Sequence, residues 1–384
     1  MAMKLPVGFK AAGISAEIKE SGKLDLGLIV SEYPLSWALV ATTNRLKAPC
    51  VSRNKGRYSS GKKVKAIVVN SGNANCANGE KGIWDNEDVA GLAAGALSYN
   101  TPHDILTAST GIIGKPLDIK KFRKALPKAA KKLKADSKNF AEAITTTDTH
   151  RKQVSVKLRG GGRIVGIAKG SGMIHPNMAT MLAFVLTDAD IDQDLLREHW
   201  PQIVDKSFNR ITVDGDTSPN DMAFVFANGR KRVDSREFWT GLEQVAHELA
   251  QKIVRDGEGA TKLMTVRVIN ARTEEGATKA AKAVAKSPLV KTAVHGSDPN
   301  WGRILNAVGY SGAVTDMGNI SIKLQSILVY AGKPVDFDAE LVSESMQIND
   351  VSIEIDLAAG QASSVVWGCD LSAEYVKINA DYST

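Results

Sequence analysis

The chain has 384 residues, 43% of them hydrophobic, which is enough to bury one large core or two medium ones. Its formal charge is +7, but residues 115–138 alone carry nine lysines and one arginine against two aspartates. The excess charge is therefore local. Because this stretch lacks the interleaved aromatic residues of a single-strand binder, it indicates the solvated face of an amphipathic helix and argues against a nucleic-acid partner.

The sequence shows no targeting or membrane signal. Its first residues lack the apolar stretch of about 7–15 residues found in signal peptides, and no segment approaches the roughly 18 apolar residues of a membrane helix. Cys50, Cys76 and Cys369 form neither a disulfide framework nor a paired metal site, and the six histidines lack zinc spacing. We therefore expect a soluble, cytoplasmic protein without a metal or an organic cofactor.

Strand-like and helix-like segments alternate along the chain. In order, the predicted elements are a strand in 65–75, a helix in 85–100 capped by Asp85 or Asn86, the amphipathic helix in 115–138, a hairpin in 154–172, a strand at 180–186, a helix in 192–208, strands in 221–229 and 262–271, a helix at 274–286, a helix capped by Asp298 with Pro299 at its first position, strands in 319–332, 350–358 and 362–370, and a final helix from Asp370. The strands at 67–70 and 180–186 are apolar on both faces and should lie in covered sheets. Helices must therefore cover sheets, in a layered α/β or α+β architecture.

The sequence at one junction between a loop and a strand suggests that the chain can cleave itself. Gly170, Gly172 and Pro176 lie in the loop, and Thr180 follows Ala179 where the buried strand begins. Glycine and proline can hold a tight turn that presses the Thr180 hydroxyl against the Ala179 carbonyl carbon. Attack there gives an ester by an N→O acyl shift, and hydrolysis leaves an N-terminal threonine with a hydroxyl nucleophile and an amine base. On spacing alone, a threonine at the start of a strand is more often structural.

The loop belongs to a series of motifs that covers nearly the whole chain. They are NSGNAN (70–75), STGIIG (109–114), TTDT (146–149), GSGMIHPNMATMLAF (170–184), TVDGDTSPND (212–221), GEGATK (257–262), DPNWGRI (298–304), WGCDLS (367–372) and INADYST (378–384). In this order they resemble the ornithine acetyltransferases, also called glutamate N-acetyltransferases, of the bifunctional type in arginine biosynthesis. The resemblance implies an α+β fold with layered sheets between helices, like that of the N-terminal-nucleophile hydrolases and β-aminopeptidases.

The resemblance also implies a precursor that cuts itself between Ala179 and Thr180. Residues 1–179 would carry the oxyanion hole, and residues 180–384 would begin with the nucleophile. The two chains would form one catalytic unit. An oligomer with at least two copies of each chain, an α2β2 heterotetramer or larger, is also implied.

Individual positions match the functional residues of that family. Thr180 matches the nucleophile, and Thr110 and Gly111 match the oxyanion hole. The substrate contacts match Thr147, Lys169, Thr180, Glu258, Asn379 and Thr384. One sequence does not separate Thr147 from its neighbour Thr146. Each position also has a simpler interpretation. Thr110 and Gly111 could form a plain turn, and Lys169 could be a surface lysine. The Thr146 and Thr147 hydroxyls could cap a helix or turn, and Thr384 could belong to a frayed terminus.

Other polar residues near these motifs receive no catalytic role. Asp214, Asp216 and Asp221 lack the spacing of a calcium-binding loop, and we expect them to organise a turn near the site. His175 is close to the junction but is not assigned to the chemistry. Pro219 stands where the family more commonly has a small polar residue, which affects the expected shape of that loop only.

The resemblance implies acetyl transfer from N2-acetylornithine to glutamate through an acetyl-threonine intermediate, in the cyclic arginine pathway. The partners would be these small molecules and, in some members, acetyl-CoA, with neither a nucleic acid nor a membrane. The sequence does not decide whether acetyl-CoA is used, or whether the role lies in an antibiotic pathway. Two other classes stay open: a self-processing aminopeptidase or amidase of the same fold, and a catalytically silent binding protein that is never cut.

Overall fold

The structure, a computed structural model, describes residues 3–175, 181–313 and 316–381. In these ranges the strands are β1 Phe9–Ile14, β2 Leu26–Ala41, β3 Val64–Asn73, β4 Ile105–Ile112, β5 Lys152–Lys157, β6 Arg163–Lys169, β7 Leu182–Ala189, β8 Ile211–Thr212, β9 Met222–Lys231, β10 Leu263–Ala271, β11 Ser321–Leu324, β12 Ile327–Ala331, β13 Asp350–Asp356 and β14 Ala362–Cys369. The α-helices are α1 Pro49–Ser59, α2 Gly79–Ala96, α3 Ile119–Lys131, α4 Lys138–Ala143, α5 Gln193–Lys206, α6 Ser235–Arg255, α7 Glu274–Lys286, α8 Pro288–His295, α9 Trp301–Gly309, α10 Ala339–Ser345 and α11 Ala373–Ala380. Among the described residues, none of these helices has both the length and the apolar character needed to cross a membrane.

The larger sheet of the described chain has two halves that share one long strand. Its order is β4-β3-β2-β9-β7-β6-β5, and β1 pairs with β2 beside this path. Residues 26–30 of β2 pair with β3, whereas residues 36–41 pair with β9. β2 therefore joins a half made of β1, β3 and β4 to a half made of β5, β6, β7 and β9.

Alternating side chains bury both faces of this sheet. Phe184 of β7 stacks on Phe224 of β9 in an inner core between the two halves, where Phe140 of α4 meets Phe184 edge to face. Ala183 and Val185 point the other way, into a core shared with α5 and α6. α2 and α3 cover the outer face of the other half. The layers are thus helix, sheet, sheet and helix, which confirms the predicted α+β class with sheets between helices.

The second sheet has the order β12-β11-β13-β10-β14-β8 in the described ranges. α7 packs on β10 and β14 through a face rich in buried alanines, so the helix lies close to the strands. The two-residue strand β8 pairs in parallel with β14 and leads into the segment before β9. This segment connects the second sheet to the larger one.

Most of the predicted elements are present where local signals were strong. The hairpin around three glycines is β5 and β6, which pair antiparallel. The predicted helix in 192–208 is α5, with the Asp192 side chain capping its first turn, and the helix at 274–286 is α7. The basic stretch contains α3, which buries Phe122 and Leu126. The strand predicted at 180–186 is β7, which runs to Ala189 because it continues to pair with β6 and β9.

The predicted start of the helix in 85–100 is wrong. α2 begins at Gly79, because Gly82, Asp85 and Val89 share its buried face at helical spacing. Asp85 does not cap the helix, since its carboxylate accepts a hydrogen bond from Lys81, one turn earlier, at 2.7 Å. Asn86 is likewise inside the helix and buried.

Two later helix starts are also wrong. α9 begins at Trp301, because the Asn300 side chain, and not that of Asp298, accepts the N–H of its first turn. α11 begins at Ala373, three residues beyond the predicted start at Asp370. The Asp370 carboxylate instead accepts the backbone N–H of Thr261 at 2.8 Å, so it joins this loop to the start of β10.

Candidate active site

A cavity of about 290 Å³ lies where β4 and β6 end. Six residues that the sequence singled out line it: Thr110, Gly111, Thr147, Lys169, Glu258 and Asn379. Thr146 lines it as well, so the structure does not separate the two threonines. These residues come from five separate segments of the chain, and tertiary structure alone brings them together.

The end of β4 positions Thr110 and Gly111. The parallel register of β3 and β4 shifts at Gly72 and Asn73, opposite these two residues. Gly111 has φ +128°, and a Cβ there would lie only 2.4 Å from the carbonyl carbon of Gly72. Glycine is required at this close approach of two backbones, and it leaves the buried Thr110 at the cavity wall.

The last residue of β6, Lys169, faces Thr110. The Lys169 Nζ donates a hydrogen bond to the Thr110 Oγ1 at 3.2 Å, and only 2% of Lys169 is exposed. Burial lowers the pKa of Lys169, while the charge of Asp148 opposes this shift. A buried ammonium is costly unless an anion pairs with it, so Lys169 favours a carboxylate bound in the cavity.

A buried ion-pair network fixes the loop of residues 146–149, called here the threonine loop, beside Lys169. The Asp148 side chain has no exposed surface and accepts hydrogen bonds from Lys152 Nζ at 2.6 Å, Gly170 N–H at 2.7 Å and Thr146 N–H at 2.9 Å. Lys152 also pairs with Asp256. Burial alone would raise the pKa of Asp148, but Lys152 and the nearby amines lower it to about 2. Asp148 therefore ties Thr146 to the glycine turn after β6.

On the opposite wall, Glu258 contacts the glycine turn and the C-terminal helix. Its N–H donates to the Ser171 carbonyl oxygen at 3.0 Å, and its Oε2 accepts from the Asn379 Nδ2 at 2.9 Å. A Cβ at Gly172 would lie 2.3 Å from that same Oε2. The glycine therefore makes room for the carboxylate, and α11 orients it.

Three predicted positions, Ala179, Thr180 and Thr384, lie outside the described residues. The described chain resumes at Met181, whose N–H donates to the Asp221 Oδ1 at 2.9 Å. The next residue, Leu182, pairs with Lys169. The residue directly after Thr180 is therefore anchored beside the strand that carries Lys169 to the cavity.

The cavity also contains residues to which the sequence assigned no role in the site. Ala74, Ser218, Pro219 and Asn220 line it. The Asn220 Nδ2 donates to the carbonyl oxygens of Ala74 and Ser109, each at 2.8 Å, and so ties the segment before β9 to the ends of β3 and β4. The only signal in the sequence was that these residues fall within the motifs at 70–75 and 212–221.

A layered α+β fold with hydroxyl, ammonium and carboxylate groups gathered in one cavity at the strand ends is the arrangement of an enzyme that acts on small molecules. Sequence comparison gives the family. The chain belongs to the ArgJ family, which matches it over residues 10–384, and the predicted relationship is confirmed.

The relatives that match are similar over their full length. An arginine biosynthesis bifunctional protein ArgJ from Thermus thermophilus is 51% identical, and the match covers 100% of both chains. The protein of the same name from Deinococcus radiodurans is 50% identical, over 99% of this chain and 97% of its own. A crystal structure of the Bacillus halodurans protein is 41% identical with a TM-score of 0.50, and covers 52% of this chain and 98% of its own.

Proposed function

We propose that this protein is a self-processing acetyltransferase that moves acetyl from N2-acetylornithine to glutamate. The observation that carries the proposal is that six positions matching the family's oxyanion-hole and substrate residues line one cavity. The names of the relatives, which are arginine biosynthesis bifunctional proteins, support a role in that pathway.

The proposed reaction consists of two acyl transfers at Thr180. Its hydroxyl attacks the acetyl carbonyl carbon of N2-acetylornithine, and its α-amine takes up the hydroxyl proton. The Thr110 hydroxyl and the Gly111 N–H stabilise the negative charge on the carbonyl oxygen. The C–N bond then breaks, the proton passes to the departing amine, and ornithine leaves an acetyl-threonine ester. The amine of glutamate attacks this ester, takes the acetyl group and returns a proton to Thr180.

Charge complementarity supports amino-acid substrates. Both substrates carry a carboxylate, which matches the buried Lys169, and the side-chain ammonium of ornithine matches Glu258. The contact from Asn379 holds the Glu258 carboxylate in place without neutralising its charge. Water must be kept from the ester until glutamate arrives, because water would otherwise accept the acetyl group.

The sheet order supports a cut whose two products stay together. Residues 180–384 supply β7 and β9, which lie between β2 and β6 of residues 1–179. Separating the products would break two strand pairings and expose the inner core. The Bacillus halodurans chain fits such a cut, because it is matched over 98% of its length yet spans 52% of this chain. Residues 180–384 likewise make up slightly more than half of the sequence. The proposal includes a cytoplasmic enzyme with at least two copies of each product, α2β2 or larger.

The test follows an isotopic label in the acetyl group of N2-acetylornithine. The proposal expects label on the 180–384 chain without glutamate, and labelled N-acetylglutamate once glutamate is added. Labelled acetate in the presence of excess glutamate would instead indicate the aminopeptidase or amidase class, in which water accepts the acyl group. A parallel reaction with labelled acetyl-CoA tests the second donor. Absence of label on the protein with either donor would contradict the proposal and favour a binding protein.

A further inference from the structure

One segment, residues 212–222, contacts the chain on both sides of residues 176–180. It runs from the end of β8 to the start of β9 and carries two aspartates, one of which contacts the chain before residue 176 and the other the chain after residue 180. Asp214 accepts hydrogen bonds from Met173 and Ile174, and Asp221 accepts one from Met181. The proposed cut between Ala179 and Thr180 falls inside this span.

Asp214 holds the upstream side. Its carboxylate accepts the N–H of Met173 at 2.5 Å and the N–H of Ile174 at 2.9 Å, and the N–H of Val213 donates to the Ile174 carbonyl oxygen at 2.8 Å. Met173 has φ +58°, a left-handed conformation that costs free energy in a residue other than glycine or asparagine. The two hydrogen bonds to Asp214 stabilise this conformation.

Asp221 holds the downstream side. Its Oδ1 accepts the Met181 N–H at 2.9 Å, and the Met222 N–H donates to the Met181 carbonyl oxygen at 3.2 Å. Asp221 is 1% exposed, and its second oxygen makes no hydrogen bond to the described residues. Burial raises the pKa of Asp221 well above its usual value. A buried carboxylate with an unpartnered oxygen costs stability, and groups of this kind are found at functional sites more often than elsewhere.

The segment itself is fixed to the rest of the fold. The Thr42 N–H donates to the Asp221 carbonyl oxygen at 3.0 Å, and the Thr42 hydroxyl donates to the Ser218 carbonyl oxygen at 2.7 Å. Asn220 is anchored to the ends of β3 and β4, as described above. Asp214 and Asp221 therefore act from one rigid support.

We propose that Asp214 and Asp221 are positioning residues for the cut between Ala179 and Thr180, because they hold the described chain on either side of it, at Ile174 and at Met181. The inference rests on the self-processing step of the proposed function. The two aspartates have different roles after the chain is cut. Once the chain is cut, Asp221 still fixes the residue next to the nucleophile, whereas Asp214 holds a residue of the other product.

The test is a time course of cutting in freshly synthesised full-length protein, followed by intact mass. Asp221→Leu replaces the carboxylate with an apolar group of the same branching that accepts no hydrogen bond, and it should slow cutting by roughly 10- to 100-fold. Asp221→Asn keeps an oxygen for the Met181 N–H and should recover most of the rate. Asp214→Leu should slow cutting by a similar factor. The matched control is Asp216→Asn, because Asp216 is an exposed acid of the same segment.

A second measurement separates positioning from general damage to the fold. In the fraction that has been cut, Asp221→Leu should lower the kcat of acetyl transfer with little change in KM, and Asp214→Leu should affect transfer less than cutting. Folded Asp221→Leu and Asp214→Leu proteins that cut at the wild-type rate would overturn the inference and leave the proposed function intact. A wild-type chain that is never cut would contradict both.

Discussion

Lys169 and Thr110 are joined by a hydrogen bond in which the Lys169 Nζ donates to the Thr110 Oγ1 at 3.2 Å. Because this oxygen already accepts from the amine, the Thr110 hydroxyl hydrogen must point to a different acceptor. A hydroxyl that donates away from Lys169 is suited to an oxyanion in the cavity. The same contact connects the residue proposed to bind the substrate carboxylate with the residue proposed to stabilise charge in the transition state.

Replacing Thr110 therefore tests transition-state stabilisation. Thr110→Ala removes one donor and should lower the kcat of acetyl transfer by about 10²–10³, with a much smaller change in KM. Thr110→Ser keeps the hydroxyl and should retain most of the rate. Steady-state kinetics with N2-acetylornithine and glutamate give both values. A raised KM at unchanged kcat would assign Thr110 to ground-state binding instead.

A substitution at Gly172 tests whether Glu258 contacts the substrate. In Gly172→Ala the new methyl group would lie 2.3 Å from the present position of Glu258 Oε2, so the carboxylate must move away from Asn379. We expect KM for N2-acetylornithine to rise by at least about tenfold, the effect of losing one charge-assisted contact. Gly91→Ala is the matched control, because a Cβ at Gly91 meets open space on α2. An unchanged KM in Gly172→Ala would contradict the assignment of Glu258 to the substrate.

Removing the charge of Asp148 should destabilise the threonine loop. Asp148→Asn weakens the pairing of the buried Lys152, and breaking such pairs typically costs about 3–5 kcal/mol of unfolding free energy. The folded-state pKa of Asp148 is lowered to about 2, so its contribution is present above about pH 4 and is lost as the pH falls toward 2. Urea unfolding at pH 7 and pH 2.5 should show a large difference from wild type at the higher pH and a smaller one at the lower pH. The exposed Asp336→Asn serves as control, and equal differences at both pH values would contradict the account.

His175 should make the protein less stable in mild acid. Its Nδ1 lies 3.1 Å from the Thr212 Oγ1, and burial, together with Lys286 and Lys282, lowers the pKa of His175 to about 4. An unfolded histidine binds its proton near pH 6.5, so between about pH 6.5 and 4 only the unfolded state gains this proton. Stability therefore falls as the pH falls through that window. His175→Gln should flatten this part of the curve in urea unfolding, and the exposed His103→Gln should not. Parallel curves for wild type and His175→Gln would contradict the lowered pKa.

The elements that the sequence predicts well are those with local signals. α5 has a capping Asp192 and apolar residues at helical spacing, and the β5–β6 hairpin has three glycines at its turn. The start of α2 was missed because its first turns contain Gly79, Gly82 and charged residues, which resemble a loop until packing is known. The pairing of β2 with both β3 and β9 depends on contacts far apart in sequence, and no local pattern encodes them.

The candidate site was also predictable only in part. Family motifs single out Lys169 and Glu258, but no spacing in the sequence shows that the two line one cavity. Asn220 was missed because its role is to bind two backbone carbonyl groups from distant strands, and an asparagine in a turn motif gives no sign of such partners. Asp221 was expected only to organise a turn, whereas its contact with Met181 depends on the β7–β9 pairing.

In the proposed mechanism, Thr180 becomes the nucleophile when the chain is cut directly before it. The most direct measurement is the denatured intact mass of freshly purified wild-type protein beside Thr180→Ala. The wild-type chain of 41.1 kDa should give two products of about 19 and 22 kDa, with threonine at the new N-terminus, whereas the mutant should stay uncut and transfer no acetyl. A single wild-type mass of 41.1 kDa, or a Thr180→Ala protein that is cut or fully active, would rule out this mechanism.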